Sequence, residues 1–177
     1  MNVNEKITVW IGETDQTPLG KVWVAMTSEG LWAIEYDVSR NEFTERVTRR
    51  GNVNILDYRQ NVEEALQQVS NYLNGKSKEF DLPIDWRGMT EFQRKVRQAV
   101  MDIPAGEIAS YKEIAVQLGK PEASRAVGRV NATNPIPLVI PCHRVLASDG
   151  KLTGYGGKGG VDTKAWLLEL EEATLLS

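Results

Sequence analysis

Short apolar runs rich in β-branched and aromatic residues predict three strands near the start of the chain. They cover Ile7 to Ile11, Lys21 to Thr27 and Leu31 to Tyr36, and turn sequences separate them. A helix from Asn61 to Leu73 should follow, with Asn61 as its cap, because apolar residues recur there at helical spacing. The polar and extended stretch from Lys76 to Asp85 is typical of a linker.

Helical spacing dominates the second half of the chain. Four helices are predicted, at about residues 90–101, 110–118, 122–130 and 163–173. The first two begin with capping boxes, Thr90 to Gln93 and Ser110 to Glu113. Pro121 suits the first turn of the third helix. The second and third helices, joined by a Gly-containing turn, form a candidate helix-turn-helix, although many helical pairs look like this motif.

Length and charge indicate a globular protein of one domain or two small ones. The chain has 177 residues and a formal net charge of −3, which argues against a general polyanion binder. Residues 1–88 carry ten Lys and Arg against fourteen Asp and Glu, whereas residues 89–177 carry eleven against ten. We therefore expect two lobes, 1–88 and 89–177, and any nucleic-acid contact should be a local patch.

Composition also bears on the cellular compartment. No apolar run approaches the length of a membrane span, and the first six residues lack a signal-peptide pattern. With one cysteine in the chain, no disulfide can form within it. These features predict a cytoplasmic protein with no membrane partner.

The single cysteine and the single histidine of the chain are neighbours, Cys142 and His143. A thiol is nucleophilic as its thiolate, and imidazole can take its proton near neutral pH. A lone cysteine after an apolar run is, by itself, more often a buried small hydrophobic residue. Pro135, Pro137 and Pro141 and the glycine-rich stretch that follows predict a rigid, irregular backbone, which favours a functional thiol.

The third predicted helix of the second half combines a low surface with two arginines. Small residues, Ala123, Ala126 and Gly128, keep the surface low, while Arg125 and Arg129 share a face. Such a helix can approach a partner backbone closely, and guanidinium groups suit phosphates and base edges. The alternative is a solvated arginine pair on a packing helix.

Glu171 borders the apolar face formed by Leu167 and Leu168 on the last predicted helix. A carboxylate held against a core usually has a partner, and an imidazole is one candidate. Cys142, His143 and Glu171 would then form a relay of nucleophile, base and orienting group. The alternative is one more surface glutamate.

The glycine-rich segment from Gly154 to Gly159 matches the G-x-G-x-x-G pattern of dinucleotide sites. A polar turn precedes it instead of a buried strand, and no βαβ unit surrounds it, so we reject a dinucleotide site. A loop that closes over Cys142 is the preferred interpretation, with Tyr155 as a candidate stacking or lid residue.

Residues 89–172 resemble the O6-alkylguanine-DNA alkyltransferases, also called methylated-DNA–protein-cysteine methyltransferases. The resemblance is densest in Arg125 to Gly128 and in Asn134 to Val145, and the second block is long and highly specific. Ser110-Tyr111 and Trp166 to Leu168 also fall where the pattern of the family expects them.

The resemblance implies an α+β protein. The N-terminal lobe would hold a small antiparallel sheet and a helix in a ribonuclease H-like fold, and it carries the resemblance more loosely, through Thr17 to Gly20 and the strands after it. The C-terminal lobe would be helical and winged-helix-like, with the helix-turn-helix. Family members that hold zinc bind it in the N-terminal lobe through Cys and His, which this chain lacks there. We therefore expect no metal and no cofactor.

The same resemblance implies direct reversal of DNA damage. An alkyl group would pass irreversibly from O6-alkylguanine, and also from O4-alkylthymine, to Cys142, once per protein molecule. The partner would be double-stranded DNA, bound through the minor groove by a monomer, with cooperativity along the DNA left open. The damaged nucleotide would be flipped out of the stack, because a base inside a duplex cannot be reached.

Residue roles follow from the resemblance position by position. His143 would take the thiol proton through a water, Glu171 would orient the ring, and Asn134 would brace the turn before the thiol. Arg125 would fill the gap left by the flipped nucleotide, and Tyr111 would push on the neighbouring phosphate. The other implied contacts toward DNA are Ser110, Ala123, Ala126 and Gly128. Around the base they are Tyr111, Pro137, Tyr155, Gly156 and the backbone groups of Cys142 and Val145.

Two departures from the family pattern and three alternatives accompany this interpretation. Gly156 stands where many relatives carry Ser, and the loop of residues 156–160 is longer than in relatives. Alkyltransferase-like proteins that bind the lesion without transfer lack the acceptor cysteine. A thiol hydrolase needs an oxyanion hole, which nothing in the sequence marks. A plain helix-turn-helix regulator would leave the Pro-Cys-His run unexplained.

Overall fold

The computed structural model describes residues 6–152 and 154–173. Its contacts divide the chain into two units, one up to Gly88 and one from Met89. Residues 1–5, on which part of the expected lack of an export signal rests, lie outside the described residues. Among the described residues, no helix has the length and apolar character that a bilayer span requires.

The first unit is built on a four-stranded sheet with the order β3-β2-β1-β4. The strands β1 (Ile7–Glu13), β2 (Val22–Thr27) and β3 (Gly30–Tyr36) pair antiparallel, as the resemblance implies. The strand β4 (Val53–Asp57) pairs with β1 in parallel. It corrects the expectation of a purely antiparallel sheet. Its weak pattern has a physical reason, because no residue of this edge strand is fully buried.

Two helices cover the opposite faces of this sheet. The helix α1 (Arg40–Thr48) packs Phe43 and Val47 against the face that carries Val9 and Ile11. Gly12 points to the other face, because successive residues of a strand alternate. A Cβ built there would lie 2.7 Å from Val62, just before the helix α2 (Glu63–Leu73). The absence of a side chain at position 12 therefore lets α2 approach the sheet closely.

Two local signals were misjudged from the sequence in this unit. Ser39 and Glu42 form a capping box that begins α1, and the sequence analysis did not use it. Asn61 lies in a single 3-10 turn before α2 and does not cap that helix, since Val62 precedes it directly.

The segment predicted as a linker belongs in part to the first unit. Ile84 pairs with Leu31 of β3, and the main-chain amide of Asp85 donates to the Leu31 carbonyl at 3.0 Å. The carboxylate of Asp85 is buried, accepts from the Thr27 hydroxyl at 2.6 Å and pairs with Arg87. A buried carboxylate of this kind fixes the chain at the end of the unit.

The second unit contains four α-helices and two short strands in its described part. The helices are α3 (Glu91–Met101), α4 (Tyr111–Gln117), α5 (Ser124–Ala132) and α6 (Gly160–Leu170). Both predicted capping boxes, at Thr90 and Ser110, are confirmed. Pro121 begins a 3-10 turn, so α5 starts later than predicted. The helix α6 starts and ends about three residues earlier than predicted, which leaves Glu171 as its C-cap.

A parallel pair of two-residue strands connects the helix-turn-helix to the cysteine segment. The strand β5 (Ala109–Ser110) directly precedes α4, and the strand β6 (Val145–Leu146) directly follows the turn that contains Cys142. Ala109 is paired with Val145, and Ser110 with Leu146. The start of α4 and the thiol segment are thereby fixed in register with each other.

Candidate active site

Cys142 lies on an irregular stretch of backbone, as the surrounding prolines predict. It begins a 3-10 turn, Cys142–Arg144, and its residue is 4% exposed. Four residues earlier, Leu138 has a positive φ of 74°. A bulky residue in the left-handed region costs about 1–3 kcal/mol, and such strain is concentrated at functional sites. The thiol is therefore buried, but on a backbone unlike that of a plain core strand.

Two asparagines at the end of α5 hold this stretch in place. The Asn134 side chain donates to the Ile140 carbonyl at 2.8 Å and accepts from the Ile136 amide at 3.1 Å. Asn131, which the sequence analysis missed, donates to the Cys142 carbonyl at 2.9 Å. The turn before the thiol is thus tied at several points, consistent with the bracing expected of Asn134.

His143, Glu171 and Arg144 form a buried polar cluster beside the thiol. The Nε2 atom of His143 lies 3.1 Å from Oε1 of Glu171. Arg144 donates to the same carboxylate twice, from Nε to Oε2 at 2.9 Å and from Nη2 to Oε1 at 2.7 Å. The structure confirms that His143 and Glu171 meet. Arg144 was missed, although it directly follows the Cys-His pair.

The charge balance of this cluster favours a neutral imidazole. Burial lowers the pKa of His143, while the adjacent Glu171 carboxylate opposes this and Arg144 adds to it. The carboxylate is already neutralised by the bidentate guanidinium of Arg144, so it offers little to a second cation. With a proton on Nε2 toward Glu171, the lone pair of the ring lies on Nδ1. A neutral imidazole of this kind can accept a proton.

Two buried cations, Lys164 and Arg97, act electrostatically on Cys142, and neither was identified from the sequence. Burial raises the pKa of the Cys142 thiol, whereas its hydrogen bond with Asn134 and the charges of Lys164 and Arg97 lower it. Lys164 of α6 is buried and donates from Nζ to the Val145 carbonyl at 2.7 Å. Arg97 lies on the buried face of α3. Both residues have apolar core residues close to them in the sequence. The same reasoning that identified Glu171 from its apolar neighbours could therefore have identified these two cations.

Tyr111 begins α4 and packs beside the same region. Burial raises the pKa of its phenol, against the effect of a hydrogen bond with Asn131. A Cβ built at Gly128 would lie 3.9 Å from the Tyr111 ring, and one built at Gly154 would lie 4.0 Å from its hydroxyl. Gly128 therefore faces the start of α4, and its lack of a side chain leaves room for the Tyr111 ring. The hydroxyl lies at the boundary between the thiol region and the glycine-rich loop.

The helix-turn-helix exposes the residues predicted for DNA contact to different degrees. Arg125 and Arg129 are exposed, and Ala123 and Ala126 beside them are half-buried. Ser110 is half-buried and caps α4, accepting from the Glu113 amide at 3.1 Å. The two arginines thus project from a surface lined with small side chains, as expected.

The backbone groups predicted to read the base are hydrogen-bonded within the protein. The Cys142 carbonyl accepts from Asn131 and from the Val145 amide, and the Val145 carbonyl accepts from Lys164. Val145 and Pro137 are buried. A guanine that used these groups would share or replace existing hydrogen bonds.

The glycine-rich loop lies close to the end of α5. Tyr155 is half-buried with its hydroxyl group in the interior, and Gly156 is exposed. A Cβ built at Gly156 would lie 2.3 Å from the Ala132 carbonyl oxygen. The departure from Ser at this position therefore has a steric reason, since any side chain would force the loop or the end of α5 to move.

No cluster of three or more His, Cys, Asp or Glu side chains suited to a metal ion occurs in the described ranges 6–152 and 154–173.

Known protein families and curated proteins are similar to this chain along most of its length. The DNA binding domain of 6-O-methylguanine DNA methyltransferase matches residues 91–173, and the ribonuclease-like domain of the same family matches residues 12–86. A methylated-DNA–protein-cysteine methyltransferase of Methanosarcina barkeri is 41% identical over 160 residues, which cover 90% of this chain and 96% of that protein. One from Mycolicibacterium paratuberculosis is 54% identical over 107 residues, which cover 60% of this chain and 63% of that protein.

Solved structures give the same result. A crystal structure of Mycobacterium tuberculosis OGT in complex with DNA aligns with a TM-score of 0.75 at 37% identity, covering 94% of this chain and 93% of that one. The chain belongs to the 6-O-methylguanine DNA methyltransferase family. The expected family and the α+β fold class are thereby confirmed.

Proposed function

We propose that this protein repairs alkylated DNA by direct reversal, moving the alkyl group of O6-alkylguanine to Cys142. The observation that carries the proposal is a buried thiol whose sequence neighbour, His143, contacts the buried carboxylate of Glu171 at 3.1 Å. Family membership supports it, because the curated relatives are methylated-DNA–protein-cysteine methyltransferases.

The reaction is an in-line displacement at a saturated carbon. His143 takes the thiol proton through a water, and the Cys142 sulfur forms a bond to the alkyl carbon as the bond from that carbon to O6 breaks. The electron pair of the broken bond stays on guanine, which takes up a proton, so the thiol hydrogen finally replaces the alkyl group. The polarisable thiolate suits this soft electrophile.

Three neighbouring groups assist the displacement in this proposal. Glu171, held by Arg144, orients the imidazole and keeps the proton on Nε2. The Tyr111 hydroxyl donates a hydrogen bond to the leaving guanine, and the raised pKa of that phenol keeps it protonated at neutral pH. Asn134 positions the sulfur.

The product is a thioether, and this accounts for the single use of each molecule. No group in the site offers a route for cleaving a bond between sulfur and a saturated carbon, and Cys142 is the sole cysteine of the chain. Each molecule therefore acts once and then stays alkylated. O4-alkylthymine is a second substrate in this proposal, since it presents the same alkyl–oxygen bond.

The DNA contact is assigned to α5 and the start of α4. The surface of small residues beside Arg125 lets α5 enter the minor groove as a monomer, and Arg125 occupies the gap left by the flipped nucleotide. Tyr111 and Ser110 face the flanking phosphate. The protein works without metal or cofactor and in the cytoplasm.

Incubation with a duplex containing one O6-methylguanine, followed by peptide mass spectrometry, tests the proposal. We expect the peptide with Cys142 to gain one methyl group and the duplex to regain guanine. A Cys142→Ser variant, the matched control, should leave the lesion intact. A wild-type protein that binds the lesion while Cys142 remains unmethylated would refute transfer and favour a lesion-binding protein that recruits repair.

A further inference from the structure

Arg97 is a buried charge that the reaction described above does not use. The residue is 4% exposed and lies on the buried face of α3, between Val96 and Ala99. Among the described residues, no carboxylate forms an ion pair with it. A guanidinium taken out of water without an anion is costly, so something in the fold has to compensate it.

One side of the Arg97 guanidinium holds the turn that precedes the thiol. Its Nη2 donates to the Thr133 carbonyl at 3.0 Å. Thr133 is the C-cap of α5, where carbonyl groups lack helical partners and carry partial negative charge. The next residue is Asn134, whose side chain donates to the Ile140 carbonyl at 2.8 Å, two residues before Cys142. Arg97 thus anchors the turn that Asn134 connects to the segment before the thiol.

A second donor of Arg97 has no acceptor among the described residues. Its Nε–H is buried and forms no hydrogen bond with any described residue. The anion that this region gains during the reaction is the thiolate of Cys142. A cation without a carboxylate stabilises that thiolate more than the neutral thiol, because its charge is not already neutralised.

We propose that Arg97 is a positioning residue for Cys142, which holds the Thr133–Asn134 turn and places an uncompensated positive charge where the thiolate forms. This role rests on the proposed transfer to Cys142 and names a further residue that supports it.

Other charged groups also bear on the thiol, and they differ from Arg97. Lys164 of α6 has a pKa lowered to about 8 by burial, so it loses its charge in mildly alkaline solution. Burial lowers the pKa of Arg97 to about 10, which leaves it charged throughout the neutral range. Tyr111 of α4 also interacts electrostatically with Cys142. His143 follows it in the chain, and Glu171 is balanced by Arg144. Arg97 is therefore the cation of this set that stays charged above the pKa of Lys164 and has no carboxylate partner among the described residues.

The pH dependence of alkylation by iodoacetamide tests this role without DNA. The thiolate sulfur bonds to the reagent carbon and iodide leaves, and the single cysteine makes the adduct unambiguous. We expect Arg97→Gln to react about 3- to 10-fold more slowly near neutral pH, with an unchanged limiting rate at high pH. Arg97→Lys should recover most of the loss, and Arg94→Gln, which alters an exposed arginine of α3, should match the wild type.

A merely structural role gives a different result. If Arg97 only caps α5, the Arg97→Gln profile keeps the wild-type midpoint, or the rate falls equally at every pH, and the proposal is overturned. Should Arg97→Gln be unfolded by circular dichroism, Arg97→Lys decides. If the pH profile of alkylation of Arg97→Lys has the same midpoint as that of the wild type, the charge effect is supported. A midpoint at higher pH opposes it. Failure of the wild type to demethylate DNA would refute the transfer and leave this profile interpretable.

Discussion

The charge state of His143 is open to a sharp test, because the chain contains one histidine. Burial lowers the pKa of this imidazole in the folded protein below its ordinary value of 6.5. The unfolded chain therefore binds the proton at a higher pH than the folded protein does. The neutral ring makes its full contribution to stability at pH values above the imidazole pKa of the unfolded chain. That contribution is lost as the pH falls from there toward the imidazole pKa of the folded protein.

The magnitude follows from the ordinary imidazole pKa. Because the folded-state pKa is lowered, the free energy of unfolding should fall between about pH 7 and about pH 5.5, by at most about 1 kcal/mol, the limit set by the ordinary pKa of the unfolded chain. Ordinary carboxylates add little in this window, because they titrate near pH 4. Glu35 is an exception, since burial raises its pKa. Its contribution has the opposite sign and is cancelled by comparison with a matched variant.

Urea unfolding at the two pH values measures the effect, with His143→Gln as that variant. We expect the wild type to lose more stability than the variant on acidification, by up to about 1 kcal/mol. An NMR titration of the single imidazole provides an independent measurement and should show the ring of the folded protein titrating below its ordinary pH. Equal losses in both proteins, or a ring that titrates at its ordinary pH, would refute a neutral buried base.

Three further predictions concern the DNA contact, the carboxylate and the loop. Arg125→Ala should slow repair of a duplex much more than reaction with a free alkylguanine base; equal losses would make Arg125 structural. Glu171→Gln should destabilise the protein by about 3–5 kcal/mol, because it leaves the Arg144 charge buried without its partner, and urea unfolding with Glu169→Gln as an exposed control measures this. Gly156→Ala should slow methyl transfer about tenfold or more, because its Cβ would meet a backbone oxygen and displace the loop; single-turnover rates equal to the wild type would contradict that steric reason.

The sequence predicted helices and strands correctly where the signal lies within a few neighbouring residues. The capping boxes at Thr90 and Ser110 mark helices correctly because they satisfy backbone donors within four residues of chain. The strands β1 to β3 are recognisable as runs rich in β-branched and aromatic residues, because helices cover both faces of the sheet and bury most of these side chains. The edge strand β4 has little buried surface and so gives little pattern. Its parallel pairing with β1 depends on a distant partner that no local window contains.

The candidate site shows the same division. Cys142 and His143 could be identified from their adjacency, and Glu171 from its place beside an apolar face. The ion pair between Arg144 and Glu171 and the contact of Arg97 with Thr133 join residues 27 and 36 positions apart. Such pairings depend on how helices pack, and the sequence pattern marks only that these charges lie among apolar neighbours.

The stoichiometry of transfer tests the central claim most directly. A duplex carrying a radiolabelled methyl group on guanine O6 is supplied in excess, and the label on protein is followed to its plateau and assigned by peptide mapping. The proposed mechanism predicts one methyl group per protein molecule, all of it on Cys142, with no further turnover. Turnover beyond one lesion per molecule, or label on any other residue, would contradict it.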